Sequence, residues 1–302
     1  AFAGHEVAGW GCAHPEPEEP AVKGRVALLA LACLALTGCS SLPYPREMGD
    51  MALLRTMGVD REEGGLGVTV STGPRARGLQ GEQEEAMVLS ALSSSLSGAV
   101  LALQSLSDSY VFFGYIDQLI LGEELTRTGV APVLDYFARD VELGLGTQVW
   151  VIREATARQA VESGGEQGVD TRLSTLRTDG EMGIAAISRT AGEVYSDLLE
   201  QGSCYVPALV LSGQDGITLM EGGYAVLKDG ALSGFLEGDE ARGLELLAGK
   251  PSADVLMVEL PQGQATLRVS KAVTVCALGQ DGALTITCRV AAQLVERPEQ
   301  IG

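Results

Sequence analysis

The chain has 302 residues, 46% of them in the set AVILMFWYC, with 21 Lys+Arg against 40 Asp+Glu and a formal charge of −19. That much apolar material builds one large or two ordinary domains with a real core, and its spread through the chain excludes bulk disorder. So acidic a body repels nucleic-acid phosphates and anionic lipid headgroups, which excludes both as partners of its main surface.

The first pattern in chain order is an export signal. Lys23 and Arg25 precede an unbroken apolar run, Val26 to Leu36, which ends in Leu36-Thr37-Gly38-Cys39. As a helix the run rises about 16 Å, against about 30 Å of hydrocarbon in a bilayer. It therefore suits the core of a signal peptide and not a span. Aliphatic, small, small, Cys is similar to the lipobox of bacterial lipoproteins. Small residues let a peptidase reach the scissile bond, and the thiol of Cys39 is acylated and becomes the first residue of the mature chain. Two or three acyl chains hold a protein stably to a membrane. Residues 1–38 are thus expected to be a removed signal segment. Within it, 1–22 carries Glu16-Pro17-Glu18-Glu19-Pro20 where basic residues are wanted, and is expected to be an extension upstream of the true start. No other stretch approaches the length of a membrane span.

Ser40 to Arg46 is a short polar tether. Met51 to Met57 and Leu66 to Ser71 are predicted strands, with a turn over 60–65 and a Gly- and Arg-rich loop over 72–81. Leu89, Leu92, Leu96, Val100 and Leu103 step by three and four, which predicts one helix from Glu82 to Leu106 with this stripe turned to the core. Tyr110 to Leu121 is a predicted strand. Gly122 to Thr128 is a short helix closed by Gly129, and Pro132 opens another to Arg139. Gln148 to Ile152 is a buried strand, Ala155 to Ser163 a helix, Gly164 to Gly168 a loop, and Ile184 to Gln201 a helix. From Val206 strands dominate: 206–211, 217–221, 224–227 and 231–236, with Lys228-Asp229-Gly230 as a hairpin turn. Asp239 to Ala248 is a helix. Two long strands, 265–275 and 284–294, end the chain, joined at Asp281-Gly282. Leu267, Val269, Val273 and Val275 are expected on one face of the first, with Lys271 as the exception.

The predicted fold class is α+β, a mixed α/β assembly of modules. An N-terminal α/β module (39–202) is followed by a strand-rich module (203–302) with one or two helices, split near Gly202. There is no internal repeat.

Chemistry is sparse. His5 and His14 are the only histidines, so the predicted mature chain has none. No Ser-His-Asp triad, Cys-His pair or histidine metal site can be built from it. There is no GxSxG elbow and no P-loop. Glu123-Glu124 and Asp135/Asp140 could pair for acid–base work, but beside Arg127 and Arg139 they are expected to form a solvated, salt-bridged surface. Asp60 to Glu63 lacks the alternating ligands of a calcium loop and is expected to be a solvated turn. Cys204, Cys276 and Cys288 are expected to be reduced, core-type cysteines. A two-residue turn at Asp281-Gly282 would pair 276 with 287 and 275 with 288, sending the Cys276 and Cys288 side chains to opposite faces.

Several stretches together resemble the C-subunit of bacterial spore germination receptors, the Ger(x)C lipoprotein family. They are Leu36-Thr37-Gly38-Cys39 followed by REMGD (46–50); MGVD (57–60); LILGEELTRTGVAPVLDYFARDVEL (119–143); and EGGYAVLKDGALSGFLEGDEARGLELLAGK (221–250). They stand in the family's order. The chain departs from the family at Ser40-Ser41, where Trp-Asp is common, at Tyr115, where His is common, and in a last module that is expected to be shortened. The resemblance implies a non-enzymatic lipoprotein without cofactors. It would be anchored by Cys39 to the outer face of the cell membrane, the inner membrane in the spore, and would work with polytopic A-type and transporter-like B-type receptor subunits. An extracytoplasmic solute-binding lipoprotein is the alternative.

Overall fold

The computed structural model describes residues 51–73, 75–77, 82–182, 185–213, 218–249, 255–261 and 263–297. The signal segment, the tether and Cys39 lie outside the described residues. The central strand, β1 (Met51–Glu62), alternates in and out at its start and is buried at every residue from Thr56 to Asp60, as a strand covered on both faces must be. It pairs antiparallel with β2 (Gly65–Thr72) across a Glu63-Gly64 turn, so the strand runs through the segment 60–62 that was expected to turn. The loop expected over 72–81 contains instead a small hairpin, β3 (Arg75–Arg77) with β4 (Glu82–Glu84).

The long helix expected over 82–106 is not formed. Val88–Ser93 is strand β5, paired with β2, and the Ser90 hydroxyl lies 2.9 Å from that of Thr69. Helix α1 (Leu96–Ser105) starts only after Ser95, whose side chain accepts from the Gly98 N–H. The apolar spacing suited a helix, but an open edge of β2 and a Ser-rich N-cap fixed the boundary. The strand expected over 110–121 is broken. Tyr110–Phe112 (β6) and Gln118–Leu121 (β7) both run parallel to β1. Between them Asp117 turns to Arg55, accepting from Nη2 at 2.7 Å.

Helices α2 (Glu123–Thr128) and α3 (Ala131–Arg139) follow β7, with Gly129 at φ 127° between them and Pro132 in the first turn of α3. Strand β8 (Gln148–Ile152) is buried throughout and lies where it was predicted. After it come α4 (Ala157–Glu162), a 3₁₀ turn (Gly165–Gln167) and α5 (Asp170–Glu181). Helix α5 was not foreseen: only Leu173 and Leu176 are buried in its twelve residues. Helix α6 (Ala191–Gln201) begins at a Thr190–Glu193 capping box and is shorter than the predicted 184–201.

Strand β9 (Ser203–Ser212) runs parallel to β8 and antiparallel to β10 (Thr218–Lys228), which pairs with β11 (Ala231–Leu236) across Asp229-Gly230, both at positive φ. The two strands expected at 217–221 and 224–227 are one strand with a bulge at Gly222-Gly223. A Cβ on Gly223 would lie 2.1 Å from the Leu236 carbonyl oxygen.

The nine-stranded sheet has the order β11-β10-β9-β8-β7-β1-β2-β5, with β6 beside β1. Its parallel heart is β1, β7, β8 and β9. Leu119, Leu121, Val149 and Val151 face α1, α2, α3 and α6 in one core, while Ile120, Trp150 and Ile152 face α4 and α5 in another. Gly202 closes α6 within this layer, at φ 69°. The first three strands of the expected strand-rich module thus extend the same sheet.

Beyond helix α7 (Gly238–Leu247) a separate sheet forms from β12 (Val255–Leu260), β13 (Gly263–Leu278) and β14 (Leu284–Glu296). Strand β12 was not foreseen. Two expectations are corrected here. A bulge at Ser270, where Val269 pairs with Ala292 but Lys271 with Ala291, reverses the alternation. Val269 and Ala272 are buried, whereas Val273 and Val275 are exposed on the same side as Lys271. The β13–β14 loop is also longer than two residues, so Cys276 pairs with Ile286 and Cys288 with Thr274. Both thiols are therefore on one face, two register steps apart, and both are free and exposed, so of the three cysteines expected in the core only Cys204 is buried.

Tyr224 ties the smaller sheet's helix to the larger sheet. Its buried hydroxyl donates to Glu245 Oε1 of α7 at 2.9 Å and accepts from the Ile187 N–H at 2.7 Å. Tyr224→Phe leaves both partners buried and unpaired and should cost about 3 kcal/mol, read as a lower urea midpoint with an unchanged slope.

Candidate functional site

The stretches MGVD (57–60) and LGEE (121–124) meet at the finishing ends of β1 and β7. Asp60 is 6% exposed. Its Oδ1 accepts from the Ala157 N–H at 2.8 Å and its Oδ2 from the Arg158 N–H at 2.9 Å, so the carboxylate clasps the first turn of α4. Glycines make room for it. A Cβ on Gly122 would lie 2.1 Å from Oδ1, and one on Gly58 would lie 3.1 Å from the Ala157 Cβ. Burial pushes the Asp60 carboxyl above its usual range, although the two amides and Arg158 pull against that. The solvated turn expected at Asp60 is therefore corrected: Asp60 is a buried joint between β1 and α4. The sequence offered a signal only in the Gly-x-Asp pattern, because the partner amides lie about a hundred residues away.

Beside this joint is a charged rim. Glu123 Oε2 accepts from the Glu154 N–H at 2.7 Å, and Oε1 from Arg127 Nη2 one turn along α2. Burial raises the Glu123 carboxyl, but that amide and Arg127 outweigh it and hold it below its usual range. Glu154 sits at φ 57°. Arg153 bridges Glu154 and Glu237 and lies over the Phe235 ring. On α3, Asp135 accepts from Arg139 Nε at 2.8 Å and from the Tyr195 hydroxyl at 3.0 Å. Asp140 Oδ1 accepts from the Glu142 and Leu143 N–H groups. Glu123 and Asp135 thus form the salt-bridged surface expected of them. Neither pair of carboxylates faces the other across a shared proton. Among the described residues, no three His, Cys, Asp or Glu side chains converge as a metal site. Burial pushes the Cys204 thiol up to about 12, which leaves it inert.

The other recessed surface lies between α1 and α3. A cavity of about 500 Å³ is lined by Arg61, Ser95, Pro132 and Tyr136, and another of about 380 Å³ by Leu101, Tyr110, Phe113, Tyr136 and Val141. Ser97 and Tyr136 line both. This is a groove with an apolar end, suited to contact and not to bond-making chemistry.

Two outcomes test the Asp60 joint. Gly122→Ala drives the carboxylate off the α4 amides and should cost about 2 kcal/mol, seen as a lower melting temperature. Because the folded Asp60 carboxyl is raised, its contribution is full below the ordinary carboxylate pKa of about 4 and is lost as pH rises through the raised value. Wild type should therefore lose stability relative to Asp60→Asn over that rise and hold a constant difference above it, measured by urea unfolding at each pH.

Over residues 45–211 the chain matches the family described as the spore germination protein N-terminal domain. YfkR of Bacillus subtilis (strain 168), a protein named for spore germination, is 25% identical over 288 residues, which is 87% of this chain and 71% of that protein. The crystal structure of the GerBC protein is similar with a TM-score of 0.46 and 16% identity, covering 80% of this chain and 72% of that one. With more than half of its length matched, and the Asp60 joint and the Gly122–Glu124 segment inside the match, the chain belongs to the spore germination protein N-terminal domain family.

Proposed function

We propose that the protein is a lipid-anchored, non-enzymatic subunit of a nutrient germinant receptor. An acyl group on Cys39 holds the body at the outer face of the membrane, the inner membrane in the spore. There it docks to the A-type and B-type integral-membrane subunits that the family resemblance implies. The observation that carries this reading is the position of the family match. It opens at residue 45, a few residues after Leu36-Thr37-Gly38-Cys39, so a germination-family body follows directly on a lipobox-like tetrapeptide.

The chemistry supports the same reading. Residues 39–302 contain no histidine, and Glu123, Asp135 and Asp60 are each committed to fixed partners. A solute-binding lipoprotein would need two lobes about a cleft. One continuous sheet from β5 to β11 favours docking instead. Tethering raises the effective concentration of the body at integral partners without requiring a tight interface.

Cys39→Ala tests the reading. The variant should be lost from the spore membrane fraction, and spores carrying it should germinate more slowly in nutrient, followed by the fall in optical density. Full membrane retention with unchanged germination overturns it.

A further inference from the structure

The parallel strands give the body two unlike ends. At the finishing end of β1, β7 and β8 stand Glu63, Glu123, Glu124, Arg153 and Glu154, a charged rim. Toward the starting end several large apolar groups are exposed, with Ser105, Asp108 and Arg139 exposed in the same segments. Val141 is 99% exposed and Leu101 74%. Leu106 and Tyr115 are exposed as well, the latter edge-on to Phe112.

Leu101 and Val141 come together around one feature. The cavity of about 380 Å³ is lined by Leu101, Tyr110 and Val141, and Tyr110 pairs with Met51, the first residue of β1. Of the acidic groups nearby, Asp140 accepts from the Glu142 and Leu143 amides and Glu142 from the Phe113 N–H, while Asp108 is exposed.

Met51 is also where the chain arrives from Cys39. Eleven residues lie between the two, a reach of at most about 43 Å when fully extended. The apolar end is therefore the end nearest the attachment point along the chain, and the charged rim is a strand-length further on. Aliphatic and aromatic side chains are those that partition into the headgroup–acyl boundary, while a net acidic rim is expelled from it.

From this polarity we infer that the starting end of the sheet, presented by Leu101, Leu106, Tyr115 and Val141, rests on the lipid bilayer, with the Glu63 end pointing away. The inference rests on the anchoring of Cys39 proposed above and adds an orientation to it. The chain's own negative charge selects a zwitterionic surface over an anionic one.

Tryptophan quenching reads the orientation. The chain beginning at Cys39 and carrying Val141→Trp or Glu63→Trp is purified from membranes and reconstituted in phosphatidylcholine vesicles with brominated acyl chains, with buried Trp150 as the constant background; where the leader is retained, Trp10→Phe is added. Val141→Trp should be quenched several-fold more than Glu63→Trp. Equal quenching at both sites, stronger quenching at 63, or none at either overturns the inference; the last result leaves the apolar end for a protein partner. Mass spectrometry of Cys39 tests the anchor separately. If the thiol proves bare, it is coupled to a maleimide-headgroup lipid, with Cys204→Ala, Cys276→Ser and Cys288→Ser and, where the leader is retained, Cys12→Ser and Cys33→Ser, and the same comparison is made, so that anchor and orientation can fail independently.

Discussion

The buried carboxylate of Asp60 joins three pieces of the fold that are distant in sequence. It lies in the stretch of β1 that is buried at every residue, it satisfies two of the amides that every helix leaves bare at its start, and it does so against Gly122, just past the end of the neighbouring strand. An ionised group in such a place is costly unless hydrogen-bonded. Two charge-assisted bonds from α4 offset part of that cost, and they fix where α4 sits over β1. Ala157, Ala160 and Val161 can then close against Ile120, Trp150 and Ile152.

What the sequence made legible is what local rules govern. Gly129 and Pro132 bracket α2 and α3 because one permits a positive φ and the other starts a helix. Asp229-Gly230 turns a hairpin for the same kind of reason. Gln148–Ile152 was identifiable because a strand covered on both faces is apolar at nearly every position. The segment 82–106 was misassigned because its leucines fit the helical period, while the open edge of β2 that claims Val88–Ser93 is a tertiary fact. Helix α5 carries too few apolar residues to announce itself, and β12 is short.

The site was less legible than the fold. The Gly-x-Asp and Gly-Glu-Glu stretches were recognisable as a resemblance, yet their physical purpose was hidden, since the groups that complete them stand on α4 and at Glu154. The surface carboxylates were read correctly in character, because Arg127 and Arg139 follow Glu123 and Asp135 at the four-residue spacing that brings side chains together on a helix. Cys39 was found by motif alone and carries no geometry of this kind.

The extra residue at Ser270 has a consequence for how this part of the chain can vary. Side chains along a strand obey an odd–even rule, and the bulge resets the count partway along β13. Losing Ser270 itself would leave a regular ladder, with Lys271 still outside and Ala272 still facing the helix-covered side. Losing any other single position of β13 would turn over the side chains between that position and the bulge unless the bulge were lost with it. A homologue one residue shorter in this strand should therefore lack the bulge and keep the same apolar and polar pattern on either side of it.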